Sequence, residues 1–184
     1  MMKLICITGT PGSGKSFMAS VAEEMGLKVI AMGDIVREEA FKKYGKKDKD
    51  TVGKYAEEVR RIYGEGAVAK LVIDRIRNLK DDYIVIDGVR SPHEVSMFKK
   101  YYEIILIGVI ASRETRYSRI RSRGRVDDIS SIDDFIQREE REIGFGLDDV
   151  LHNSDIYFFN DDIDKETAKE YIRRLFKLIL DGSI

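Results

Sequence analysis

One cysteine in 184 residues, Cys6, leaves no internal disulfide to be made, and the two histidines, His93 and His152, stand alone rather than in a ligand-spaced cluster. Cys6 sits inside an apolar run and is expected in the core. No apolar run exceeds the length of a strand, so nothing in the sequence spans a bilayer, and Lys3 enters the first strand without a signal-peptide pattern. The expectation is a cytoplasmic protein with no membrane partner. The formal net charge of -1 gives no excess of positive charge for generic nucleic-acid binding. Repeats and low-complexity segments are missing too. A single glutamine among many Lys, Arg and Glu gives a composition like that of a thermophile's protein.

What remains is an ordinary globular composition, 43% hydrophobic and 35% charged, of a length that fits one domain over residues 1–184. Its organising stretch is Gly9-Thr10-Pro11-Gly12-Ser13-Gly14-Lys15-Ser16, which satisfies G-x-x-x-x-G-K-[ST] at every fixed position. Lys3–Thr8 before it reads as a buried strand, and Phe17–Met25 after it as a helix closed by Gly26. In that setting the glycines let backbone N–H groups turn toward phosphate oxygens and the helix N-terminus adds positive partial charge. Lys15 neutralises terminal phosphates and the Ser16 hydroxyl is a ligand for Mg²⁺. The implied cofactors are ATP and Mg²⁺.

A second strand, Leu27–Ala31, precedes a helix for which Asp34 is the expected N-cap, and helices then run to Asn78: Val52–Tyr63 and Ala67–Asn78 after breaks at 45–50 and 64–66. Tyr83–Asp87 is an apolar run of the kind buried on both faces of a parallel sheet. Ser91-Pro92-His93-Glu94 then reads as a capping box opening a helix to about Tyr101. Strands at Ile104–Ile110 and Asp155–Phe159 and helices at Arg113–Arg123, Ile132–Gly144 and Lys165–Leu180 complete the pattern. The expected fold is α/β: a P-loop NTPase fold with a five-stranded parallel sheet, helices on both faces, a helical lobe over 33–78 and a short flap over 119–140.

Phosphoryl transfer calls for a second acid near Mg²⁺ and arginines aimed at phosphate oxygens. Asp87, at the C-terminal end of a strand, is the candidate acid, with capping of the next turn as its structural alternative. Of Arg113, Arg116, Arg119, Arg121, Arg123 and Arg125, helical spacing aligns Arg116, Arg119 and Arg123 in one stripe. That stripe is either an arginine flap over ATP or a solvated face paired with Asp127, Asp128 and Glu139.

The phosphate loop, Met32-Gly33-Asp34-Ile35-Val36-Arg37, Asp87-Gly88-Val89-Arg90, the Arg119–Arg123 run and Arg125-x-Asp127-Asp128…Arg138 together resemble the successive motifs of adenylate kinase and other nucleoside monophosphate kinases. The resemblance is to an adenylate-kinase-related protein of archaeal type. It implies that Arg37 and Arg90, beside Gly33, Asp34 and Gly88, hold an acceptor monophosphate such as AMP in the lobe from Asp34 to Asn78. It further implies that Arg119 and Arg123 contact ATP, and that Arg125 and Arg138 stabilise the transferred group. The chain departs from the family in a shortened Asp-Gly-Val-Arg, in Met32 where a threonine often stands, and in a flap without a long insert or cysteine cluster, which is expected to be short and metal-free.

Two other readings stay open. Dephospho-coenzyme A kinase resembles the chain in its phosphate loop, in Asp34 and in Asn160-Asp161, and a nucleotide-gated switch or slow ATPase needs no acceptor. A GTP switch is disfavoured because no N-K-x-D follows a strand.

Overall fold

The computed structural model describes residues 2–46, 48–123 and 131–184. Five strands, β1 (Lys3–Thr8), β2 (Lys28–Ala31), β3 (Tyr83–Val89), β4 (Glu103–Ile110) and β5 (Ile156–Phe159), form one sheet in the order β2-β3-β1-β4-β5. Every pairing is parallel. β1 lies at the centre because both of its faces are apolar. Leu4 and Cys6 enter one core layer while Ile5 and Ile7 enter the other, the period-two alternation of a strand buried on both sides.

The Leu4 face is covered by α2 (Met32–Tyr44), α3 (Lys49–Tyr63), α4 (Ala67–Ile76), α5 (Pro92–Lys99) and α8 (Leu147–His152), through residues such as Val36, Val59, Val72, Phe98 and Val150. The opposite face is covered by α1 (Lys15–Glu24) and α9 (Lys165–Leu180), through Met18, Ala22, Ile172 and Phe176. α6 (Arg113–Arg123) and α7 (Ile132–Gly144) meet in a small apolar cluster of their own, where Ile120 and Phe135 are buried and Tyr117 stands edge-on to Phe135 with ring centroids 5.5 Å apart. The helices over 33–78 share the core of the sheet, so this lobe is built on the main domain.

Local chemistry sets the helix ends. Asp48 caps α3 by accepting from Thr51 N at 2.9 Å, Ser131 caps α7 by accepting from Asp134 N at 3.1 Å, and Asp164 caps α9. Two expectations are corrected and one element is added. α2 begins at Met32 with Ala31 as its cap residue, so Asp34 lies in the first turn and pairs with Arg37 instead of capping. Ser91 does cap α5, accepting from His93 N at 3.1 Å, but Glu94 does not close a box on it. Glu94 is fully buried and accepts from Arg90 N at 2.8 Å and Arg60 Nη2 at 2.7 Å, bonds that outweigh an exposed cap. The one-and-a-half-turn α8 has too few residues to show a helical period and is absent from the sequence reading.

Because all strands run the same way, Thr8, Ala31, Val89, Ile110 and Phe159 end on one edge, and the loops that follow them gather there. Phe98, fully buried between α5 and the sheet, anchors the helical face. Phe98→Ala is expected to cost about 3–5 kcal/mol, read as a lower urea midpoint at unchanged slope. A loss below about 1 kcal/mol would contradict the placement of α5 in the core.

Candidate active site

The turn after β1 is fixed from several sides. Thr8 Oγ1 donates to Val89 O at 2.8 Å, joining the ends of β1 and β3. Gly12 and Gly14 have φ of 84° and 107°, a region that L side chains rarely adopt. A Cβ at Gly12 would meet Arg116 O at 2.5 Å, and one at Gly14 would meet Asn160 Nδ2 at 2.2 Å. The loop therefore lies directly against the Arg116 backbone at Gly12 and against the Asn160 side chain at Gly14. Its outward carbonyls are held by side chains: Arg116 Nη1 donates to Pro11 O at 3.2 Å, Arg119 Nη1 to Ser13 O at 3.3 Å, and Asn160 Nδ2 to Ser13 O at 2.8 Å.

Inside this cradle Lys15 Nζ donates to Thr10 O at 3.1 Å, and Ser16 Oγ donates to Asp87 Oδ2 at 3.1 Å. Asp87 is 8% exposed, and its other oxygen, Oδ1, is buried without a hydrogen-bond partner among the described residues. A buried carboxylate oxygen without a partner, beside a hydroxyl at the head of a phosphate loop, is a donor set that fits Mg²⁺ completed by phosphate and water.

A cleft with room for about 120 Å³ opens beside the loop, between α2 and α3 on one side and α7 on the other. Val36, Val52, Ala56 and Phe145 give it apolar walls, and Arg37, Arg60, Arg90, Arg138 and Arg141 line it with positive charge. Glu142 stands among these cations at 4% exposure, with Oε1 at 3.3 Å from Arg90 Nε and 3.5 Å from Arg138 Nε. Burial pushes the Glu142 carboxyl up, but Arg90, Lys15, Arg138 and Arg141 outweigh it and hold the group at about 2. Burial lowers Lys15 to about 8, with Glu142 and Asp87 opposing and Arg90 and Arg138 assisting. The two anion-seeking regions are thus joined electrostatically through Lys15 and Glu142.

Gly33, Arg37, Arg90 and Arg138 all come to the cleft, and Gly88, at φ 95°, lets the chain turn so that Arg90 Nη1 donates to Gly88 O at 2.9 Å. Asp34 stands beside the cleft through its ion pair with Arg37. The arginine stripe divides. Arg116, 7% exposed, is tied to Pro11 O, Ala111 O and Glu139 at 2.5 Å, so it braces the loop and is not a solvated residue. Arg119 borders a recess lined by Gly14, Phe17, Asn160, Ile163 and Lys165. The Arg123 side chain, Arg125, Asp127 and Asp128 lie outside the described residues. Glu142, Arg60 and Arg141 escaped the sequence reading, and Glu94 entered it only as part of a capping box, because nothing in the local pattern of α3, α5 or α7 marks which charged residue turns inward. On α7 the polar pattern leaves Asp134, Arg141 and Glu142 unmarked, although all three line the cleft with Arg138.

A family model described as an AAA domain matches residues 8–135. The UPF0200 protein of Methanothermobacter thermautotrophicus is 39% identical over 178 residues, covering 95% of this chain and 91% of that protein. The UPF0200 protein of Thermococcus onnurineus is 39% identical and covers 96% of each chain. The chain belongs to the AAA-domain family and to the UPF0200 proteins. Among solved structures it is similar to shikimate kinase from Acinetobacter baumannii in complex with shikimate, with TM-score 0.64, 14% identity and coverage of 100% and 96% of the two chains. It is also similar to deoxyadenosine kinase from M. mycoides with bound dATP, with TM-score 0.54, 18% identity and coverage of 95% and 99%. These likenesses show the fold, a P-loop NTPase fold. No helix among the described residues is long and apolar enough to cross a membrane.

Two outcomes follow from the loop geometry. Asp87→Asn is expected to remove most of the Mg²⁺ dependence of nucleotide binding, because an amide accepts a hydrogen bond but brings no charge; an unchanged Mg²⁺ titration would leave Asp87 as a structural partner of Ser16 alone. For Lys15, a bound polyphosphate favours the ammonium and restores its value toward the ordinary 10.5, so between about 8 and 10.5 binding takes up a proton. Nucleotide affinity should then fall as pH rises through 8, by up to about tenfold per unit. Calorimetry at pH 9 in buffers of different ionisation enthalpy reads that proton directly, and zero uptake would contradict a depressed Lys15.

Proposed function

We propose that this protein is an ATP-dependent phosphotransferase that moves the γ-phosphoryl group of Mg·ATP to a small phosphorylated acceptor, a nucleoside monophosphate such as AMP. The observation that carries the reading is the adjacency of two anion sites: the loop Gly9–Ser16 and the arginine-lined cleft, with Lys15 close enough to Glu142, Arg90 and Arg138 to be shifted by each.

In this reading the backbone of Gly9–Ser16 and the Lys15 ammonium hold the ATP phosphates, while Arg119 and the recess beside Phe17 and Asn160 receive the nucleoside. Ser16 and Asp87 would hold Mg²⁺, which supplies neutralising charge across the phosphates. Arg37 and Arg90, with Gly33, Asp34 and Gly88 around them, would grip the acceptor phosphate, since a planar guanidinium binds phosphate oxygens in two directions and keeps its charge. The apolar walls formed by Val36, Val52 and Ala56 suit the base of a nucleotide. Arg138, which lines the cleft and lies near enough to Lys15 to shift it, would stabilise the negative charge that develops during transfer, and Arg123 and Arg125 would close over it from the flap. Exclusion of water by that closure separates transfer from hydrolysis.

The test is ADP formation from ATP with nucleoside monophosphates, with dephospho-coenzyme A, and with no acceptor, each with and without Mg²⁺. Acceptor-dependent turnover with a monophosphate, lost in Lys15→Ala, is the expected result. Turnover only with dephospho-coenzyme A would move the acceptor to a hydroxyl group, and slow acceptor-independent turnover would make the protein a nucleotide-gated switch. Arg37→Ala and Arg90→Ala are each expected to weaken AMP binding about ten- to a hundredfold without a matching loss for ATP, the worth of one charge-assisted contact.

A further inference from the structure

Glu142 is a buried carboxylate in a place where a kinase needs only cations. It ion-pairs with Arg90 on the loop after β3 and with Arg138 one turn earlier on α7, and it lines the same cleft as Arg141. Its second oxygen, Oε2, is buried and has no hydrogen-bond partner among the described residues. A carboxylate retained only to hold the fold together would be expected to have both oxygens satisfied, as those of the equally buried Glu94 are, by Arg60 Nη2 and Arg90 N. Glu142 instead combines one oxygen on two arginines with one oxygen that has no hydrogen-bond partner among the described residues.

We propose that Glu142 is a positioning residue that acts as an internal stand-in for phosphate, holding Arg90 and Arg138 together in the free protein and yielding their guanidinium groups to an arriving phosphoryl group. The inference rests on the reading of the cleft as the acceptor site. Its physical basis is like-charge repulsion. Without a carboxylate, the cations around Glu142 would spread apart or recruit a stray anion, and the cleft would be disordered or blocked before substrate arrives. With Glu142 present they wait at close quarters, and an anion must compete with an attached carboxylate. Glu142 therefore lowers affinity for simple phosphate in exchange for fixed arginine geometry, which favours transfer over mere anion capture.

Glu142→Gln keeps the shape and removes the charge. It is expected to bind inorganic phosphate about tenfold tighter than wild type, because a repulsive charge a few ångströms from the anion is gone. The Nε–H signals of Arg90 and Arg138, followed by NMR, should broaden in the same variant as their common partner is lost. Glu142→Asp, which restores the charge, should return phosphate affinity toward the wild-type value. If the protein transfers phosphoryl groups to a monophosphate, Glu142→Gln should lower kcat while also lowering the acceptor KM, a split that loss of a merely structural contact would not give. In wild type itself, titration with inorganic phosphate should move the Arg90 and Arg138 signals, a measurement that needs no variant to fold. Unchanged or weaker phosphate binding in Glu142→Gln, or arginine signals in wild type that ignore phosphate, would overturn the proposal. Failure of every monophosphate as an acceptor would overturn only the acceptor assignment, since the phosphate and NMR measurements require no turnover.

Discussion

Burial of β1 on both faces is the constraint on which the rest of the molecule depends. A strand with no exposed side must have a sheet on each flank and helices above and below, and its paired neighbours β3 and β4 run parallel to it. Parallel strands need crossover helices, and those helices close the two core layers. The loop that leaves the centre of the sheet does so at the C-terminal edge, where Gly9–Ser16 departs. Site and core thus have one origin: the strand that carries Leu4, Ile5, Cys6 and Ile7 into two layers also delivers the loop to the edge.

The second organising force is positive charge brought together by that edge. Lys15 comes from the loop after β1, Arg37 from α2, Arg90 from the loop after β3, and Arg138 and Arg141 from α7. Each is tolerable alone; together they require carboxylates. Asp34, Glu94 and Glu142 meet that need in different ways, one as an exposed partner, one as a fully satisfied buried brace and one with an oxygen that has no hydrogen-bond partner among the described residues. Arg116 shows the same economy on the outer side of the phosphate loop, where a residue aligned with flap arginines serves the carbonyl of Pro11 and the carboxylate of Glu139. The same fold occurs in proteins named shikimate kinase and deoxyadenosine kinase, so the scaffold by itself does not decide which molecule a cleft at this edge receives.

The phosphate loop, the parallel sheet and most helices were legible in the sequence because each rests on local pattern: a fixed glycine spacing, apolar runs of strand length, and caps such as Asp164. Asp87 was legible for the same reason, as an acid ending an apolar run. Arg37, Arg90 and Arg138 were singled out by resemblance alone, and all three line one cleft. Asp34 was misread because a good capping residue stood one turn away from a helix start that Ala31 and Met32 had already taken. α8 was invisible because six residues make less than two turns.

By itself the sequence determined what short-range chemistry determines: a strand, a glycine turn and a helix in the order that makes an anion cradle, repeated strands too apolar to be exposed, and no cysteine pair or long apolar segment to build anything else. Only the tertiary structure decided which of many charged residues face inward. Helical spacing ranks Arg116, Arg119 and Arg123 as equals, yet packing against Phe135 and Glu139 turned Arg116 into a brace and left Arg119 at the recess beside Phe17 and Asn160. Likewise nothing near Glu142 in the chain distinguishes it from Glu139 or Glu140. Its meaning comes from Lys15 and Arg90, residues more than fifty positions away, because electrostatic character is set by distance in space and by exclusion of water, neither of which a linear pattern contains.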